Sequence, residues 1–114
     1  MRPDLLVAED DATLAWLLMD RLARFHLTAR VTDCPQEARR WIQENSGPLV
    51  LDGSVFQQMD IPLEALPRCV IIWSGDDQLV ERGRQVGVKS VRKHDLEGLD
   101  RMLRDIAGAV EAKT

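Results

Sequence analysis

The chain has 114 residues, enough for one compact core and too short for two separate ones. Hydrophobic residues make up 45% and charged residues 30%, which excludes a disordered tail, and no apolar run reaches bilayer length, which excludes a membrane span. The formal net charge of -4 argues against phosphate-backbone binding as the main activity, so no nucleic acid is expected as a direct partner.

The opening Met1-Arg2-Pro3-Asp4 meets an apolar stretch at once, without the basic lead and cleavage site of a signal peptide, and a cytoplasmic location is expected. The first strand reads Leu5-Leu6-Val7-Ala8, continuous rather than alternating, as a strand buried on both faces should be. It ends in Glu9-Asp10-Asp11. From Ala12 to Phe25, Leu14, Leu18, Leu22 and Phe25 recur at helical spacing and predict helix one. A weaker strand over about Leu27 to Val31 leads to Asp33-Cys34-Pro35-Gln36, where Asp33 is expected to cap helix two and Gln36 to reach back. The buried stripe of helix two is Ala38, Trp41 and Ile42, and Ser46-Gly47-Pro48 is expected to stop it.

Strand three, Leu49-Val50-Leu51, ends at Asp52. Residues 53–68 are long enough for a parallel crossover, but Pro62 and Pro67 leave little room for a regular helix. One or two short helical turns are expected there, with that side of the sheet thinly covered. Strand four, Cys69 to Trp73, ends at Ser74-Gly75, and helix four covers about Asp77 to Val86 with Gly87 closing it. Gly83 within that helix costs about 1 kcal/mol relative to alanine, which marks a mobile element. Strand five, about Val88 to Arg92, delivers Lys93, and a last helix runs near Leu96 to Val110. Apolar runs alternating with amphipathic segments predict an α/β fold with a parallel sheet between helices.

In such a sheet the carboxyl ends of the strands form one rim, and ligands bind there. Strand one brings Glu9 and Asp10 to that rim, strand three Asp52, strand four Ser74 and strand five Lys93. Converging carboxylates repel one another unless a cation neutralises them, and an all-oxygen donor set points to Mg²⁺ or Mn²⁺. Lys93 and Ser74 add a positive charge and a hydroxyl for an anion. Each residue alone has an ordinary explanation: Asp10 or Asp11 as a helix cap, Asp52 as a turn, Lys93 as a solvated charge. The joint pattern, with each polar residue ending a successive strand, has none.

With these residues the chain resembles a response-regulator receiver domain of two-component signalling over nearly its whole length. The resemblance implies one domain over 1–114 with a five-stranded parallel sheet in the order 2-1-3-4-5, flavodoxin-like, and helix three short or absent. It implies that Asp52 is the phosphoacceptor, that Asp10 binds Mg²⁺ directly and Glu9 mainly through water, and that the backbone carbonyl of Ser54 completes the metal shell. Ser74 and Lys93 take the places of the family's hydroxyl and lysine. The implied partners are a sensor histidine kinase or phosphotransfer protein and a downstream protein target, with no enzymatic turnover beyond phosphoryl transfer to its own aspartate. Thr114 follows soon after the last helix, so a stand-alone domain is expected.

Departures from the family pattern bear on signal output. The segment after Asp52 lacks the Met-Pro pair, Met59-Asp60-Ile61-Pro62 being a displaced echo. Ser90 stands where the family keeps a switch aromatic, and His94 stands where it keeps a proline in a cis bond. A receiver-like interaction module that works without phosphorylation is therefore the alternative. A metal-dependent hydrolase fits less well, because no residue stands out as a base for water.

The remaining candidates have ordinary readings. His26 and His94 belong to a turn and a loop, Cys34 and Cys69 lack metal or disulfide spacing, and Trp16 and Trp41 belong to helix packing or surface. Trp73, beside Ser74, is expected to overlook the crevice and report on metal. Arg82, Arg84, Lys89 and Arg92 form a solvated basic face or a partner or homodimer surface across helix four, strand five and helix five.

Overall fold

A computed structural model describes residues 2–112. In chain order it has β1 (Leu5–Ala8), α1 (Ala12–Arg24), β2 (Ala29–Thr32), α2 (Pro35–Gln43), β3 (Leu49–Asp52), α3 (Gly53–Gln57), a 3₁₀ turn (Leu63–Ala65), β4 (Val70–Ser74), α4 (Asp77–Gln85), β5 (Lys89–Arg92) and α5 (Leu96–Ala112). The strands pair in parallel in the order β2-β1-β3-β4-β5. The expected sheet is present. The reading tied to Thr114 lies outside the described residues.

Successive side chains of a strand point to opposite faces, so each central strand feeds two cores. Leu6, Ala8, Leu49, Leu51, Val70 and Ile72 face α2, α3 and α4. Leu5, Val7, Val50, Ile71, Trp73 and Val91 pack with Leu18 and Leu22 of α1 and Leu99, Leu103 and Ile106 of α5. Burial on both faces is why β1, β3 and β4 read as continuous apolar runs. β2 lies at the sheet edge with two of its four residues exposed, which explains its weak pattern and its shift toward Thr32.

The termini of the helices correct three local expectations. Cys34, not Asp33, is the N-cap of α2, with no side-chain cap bond; Gln36 Oε1 instead accepts from Cys34 Sγ, and Pro35 opens the helix. α2 ends before Gly47: Glu44 is its C-cap, and Asn45 takes the left-handed turn at φ 56°. α1 stops at Arg24, with Phe25 as its C-cap.

Residues 53–68 form a five-residue helix and one 3₁₀ turn, as expected, yet the sheet is not thinly covered. Val55, Phe56, Met59, Leu63 and Leu66 are all buried against it. These apolar side chains cover the face that one continuous helix would otherwise occupy. Gly83 has a packing reason as well: it is buried against β5, and a Cβ there would overlap Ser90 Oγ.

Candidate functional site at the carboxyl edge of the sheet

Period two explains which side chains meet. Val7, Val50, Ile71 and Val91 all face α1 and α5, so the residues two further on, Glu9, Asp52, Trp73 and Lys93, emerge on that side. Asp52 and Trp73 are register partners across β3 and β4. Lys93 Nζ donates to Glu9 Oε1 and to Asp52 Oδ1, both at 2.6 Å. Its backbone N–H donates to the Ser74 carbonyl at 3.0 Å, which ties the end of β5 to that of β4.

The second oxygen of each carboxylate is also held. Asp52 Oδ2 accepts from Ser54 Oγ at 2.7 Å and from the Val55 amide at 3.1 Å, so Asp52 also caps α3. Glu9 Oε2 accepts from the Asp11 amide at 3.0 Å. Ser54 Oγ lies 3.3 Å from Asp10 Oδ2 and so stands between two carboxylates. The Ser54 carbonyl, expected at the metal, accepts from Gln58 Nε2 at 3.2 Å. Because α3 starts directly after Asp52, it is the serine hydroxyl that faces the acidic cluster.

Glu9, Asp10 and Asp52 each offer an oxygen, and these oxygens lie within 4.8 Å of one another. Glu9 and Asp52 are buried, while Asp10 is exposed. The donors are hard oxygens with neither histidine nor cysteine among them, which fits Mg²⁺ or Mn²⁺. Burial pushes Glu9 above the ordinary carboxylate value, reinforced by the Asp52 charge and opposed by Lys93 and the Asp11 amide. Burial acts upward on Asp52 too, but the bonds from Lys93, Ser54 and Val55 and the Lys93 charge outweigh it, and Asp52 sits below its usual value. Burial alone would lower Lys93; its bonds to Asp52 and Glu9 and their charges hold it above. At neutral pH Asp52 is therefore an ionised, buried carboxylate.

Ser74 is buried beside Gly53, and a Cβ at Gly53 would overlap Ser74 Oγ. Its hydroxyl accepts from the Asp76 amide at 3.0 Å, which leaves its own proton free to donate. Trp73 departs from expectation: it is fully buried rather than overlooking the opening, and its ring lies beneath the Lys93 ammonium, 5.2 Å from the centroid. That contact was not legible from residue spacing, although the period-two relation of Trp73 to Ile71 placed it on the right face. The described peptide bonds are all trans, so the loop after Lys93 is built without a cis bond. Of the basic stretch, Arg92 pairs with Asp77 at 2.7 Å and Arg84 Nε donates to the Ser90 carbonyl at 3.2 Å. His26 lies in the turn after α1 with φ 57°, and Trp41 is buried with Nε1 donating to the carbonyls of Gly47 and Pro48. Trp16 is exposed. No helix among the described residues is long and apolar enough to cross a membrane.

No family model matches the sequence, and no curated protein matches it. Solved structures do. A protein described as a response regulator, from Chloroflexus aurantiacus, matches with a TM-score of 0.62 at 23% identity, over 91% of this chain and 96% of that one. The N-terminal domain of a response regulator/sensory box/GGDEF protein from Carboxydothermus hydrogenoformans matches with a TM-score of 0.59 at 18% identity, over 96% and 97%. A response regulator receiver domain from Rhodospirillum rubrum matches with a TM-score of 0.59 at 15% identity, over 95% and 93%. The fold is that of response-regulator receiver domains.

Proposed function

We propose that the chain is a receiver domain, one unit over 1–114, that accepts a phosphoryl group on Asp52 and signals through protein contacts. The observation that carries this reading is the placement of Asp52: buried, ionised, 2.6 Å from the Lys93 ammonium and clustered with Glu9 and Asp10. An Asp52 carboxylate oxygen attacks the phosphorus of a phosphohistidine on a kinase or phosphotransfer protein, or of a small phosphodonor. The new P–O bond forms as the bond to the leaving group breaks, and the leaving group keeps the electron pair. Catalysis in such a loose transition state is mostly positioning and charge neutralisation.

Glu9, Asp10 and Asp52 would hold Mg²⁺ or Mn²⁺, which supplies positive charge against the transferring phosphoryl oxygens. Ser54 would contribute its carbonyl, as the resemblance implies, through the lone pair that the Gln58 bond leaves free, and its hydroxyl is already between Asp10 and Asp52. Lys93 supplies a second cation, and the free proton of Ser74 donates to a phosphoryl oxygen and draws the β4–α4 loop inward. Output passes to a downstream protein, with the α4–β5–α5 face as the candidate partner or homodimer surface and the cytoplasm as the location.

The alternative, an interaction module that works without phosphorylation, is favoured by one observation. Ser90 is 1% exposed and its hydroxyl donates to the Val88 carbonyl, so no aromatic side chain can follow Ser74 inward there. Incubation with acetyl phosphate and Mg²⁺, read by intact mass, separates the two. The wild-type chain gains one phosphoryl group and Asp52→Asn gains none. No gain in the wild type would support the interaction module, and an equal gain in Asp52→Asn would remove Asp52 as acceptor.

A further inference from the structure

We infer that Trp73 is a positioning residue for Lys93: its indole face is a platform that holds the ammonium over Asp52 when the carboxylates are engaged elsewhere. The inference rests on the phosphoacceptor reading and adds a residue to it.

The ammonium has three kinds of contact: Glu9 at 2.6 Å, Asp52 at 2.6 Å and the Trp73 ring at 5.2 Å. Cation ligation by Glu9 and Asp52 would share the carboxylates that now accept from Lys93 and weaken their hold on it. An ammonium left without them would be drawn toward water, because lysine is a flexible four-carbon stem with a strongly hydrated tip. The ring carries no formal charge and ligates nothing. Its negative face attracts the ammonium whatever the state of the carboxylates.

A second observation points the same way. Trp73 is fully buried, yet its Nε1 has no hydrogen-bond partner. Buried indole N–H groups ordinarily find one, so this position carries an uncompensated desolvation cost that a phenylalanine or methionine would avoid. Packing alone therefore does not favour indole here. What indole offers over those side chains is the strongest aromatic face for a cation. The geometry that aims it is the register pairing of Trp73 with Asp52 and with Val91, two residues before Lys93.

The test uses nuclear magnetic resonance of the lysine ε-methylene groups together with phosphorylation kinetics. The chain has three lysines, so the spectrum is sparse, and Lys93→Arg assigns the signal. In the wild type, ring current moves the Lys93 signal away from that of exposed Lys89; Trp73→Phe keeps part of the displacement, and Trp73→Met loses it. With acetyl phosphate and Mg²⁺, Trp73→Met gains its phosphoryl group about threefold to tenfold more slowly, from the usual strength of a partly desolvated cation–π contact, while Trp73→Phe falls between Trp73→Met and wild type. Mg²⁺ affinity is unchanged in both variants. A Lys93 signal that coincides with that of Lys89 in the wild type overturns the inference before any variant is made. Equal displacement or equal rates in wild type and folded Trp73→Met would also overturn it. If the wild type takes up no phosphoryl group, the phosphoacceptor reading fails, and the lysine spectrum still decides whether Trp73 holds Lys93.

Discussion

Replacing Lys93 by methionine leaves two buried carboxylates facing each other with their shared cation gone. The side chains of Glu9 and Asp52 are 0% and 5% exposed and that of Lys93 is 19% exposed, so the charges lie mostly out of reach of solvent screening. Breaking a buried ion pair by removing one partner costs about 3–5 kcal/mol, and the open rim at Asp10 places this site near the lower end, about 3 kcal/mol. For a chain of this size that lowers Tm by about 10–15 °C.

The pH dependence carries the sharper test. The Lys93 contribution, with its folded value raised, is fully present below the ordinary lysine value and is lost as pH rises through the folded one. That of Asp52, with its folded value lowered, is present above the ordinary aspartate value and is lost as pH falls through the folded one. Glu9 is raised, so its ionised form is disfavoured in the folded chain and protonation relieves it. In Lys93→Met the relief on acidification grows, because both carboxylates then lack a cation. Urea unfolding at pH 7 and at pH 4.5 should therefore show the gap between variant and wild type shrinking in acid. Mg²⁺ should restore more stability to the variant than to the wild type, approaching about 2.7 kcal/mol at a hundred times its Kd. A variant as stable as wild type at pH 7, or a gap that does not narrow in acid, would refute this account of the site.

Gly83→Ala should destabilise by about 1–3 kcal/mol in thermal or urea unfolding, as overpacking does, although helix propensity alone predicts a gain of about 1 kcal/mol. The reason is that the new methyl overlaps Ser90 Oγ. Adding Ser90→Ala should recover most of the loss; a Gly83→Ala chain more stable than wild type would show that α4 is not closely packed on β5. Asp11 Oδ1 accepts from the amides of Thr13 and Leu14, so Asp11→Ala should cost about 1 kcal/mol of stability with phosphorylation intact. Calorimetric titration of Glu9→Gln and Asp10→Asn should show weaker Mg²⁺ binding than wild type in both; an unchanged affinity in both would remove the acidic cluster as the metal site.

Most polar residues of the site were legible because they end an apolar run. A strand buried on both faces needs a continuous hydrophobic stretch, and its first charged residue marks the rim. Glu9, Asp52 and Ser74 announce themselves in this way, Lys93 follows the weakly patterned β5, and all four lie at that rim. Residues whose role is set by what lies across the fold were not legible. Gly83 reads as a weak point of a helix until β5 brings Ser90 against it, and Trp73 reads as a lining residue until the register puts it under Lys93. The coverage contributed by residues 55–66 was masked by Pro62: Phe56, Met59, Leu63 and Leu66 recur at helical spacing, yet the segment divides into a short helix and a 3₁₀ turn.

From the order of residues alone came the alternation of strand and helix, the parallel sheet and the set of charged groups at its edge, because hydrophobic periodicity and chain connectivity are local properties. The tertiary structure decided which oxygen of Asp52 meets Lys93, that the Ser54 hydroxyl reaches Asp10, and that Trp73 supports the lysine from below. Those are relations between strands far apart in the chain. Their distances are set by register and packing, which no window of sequence contains.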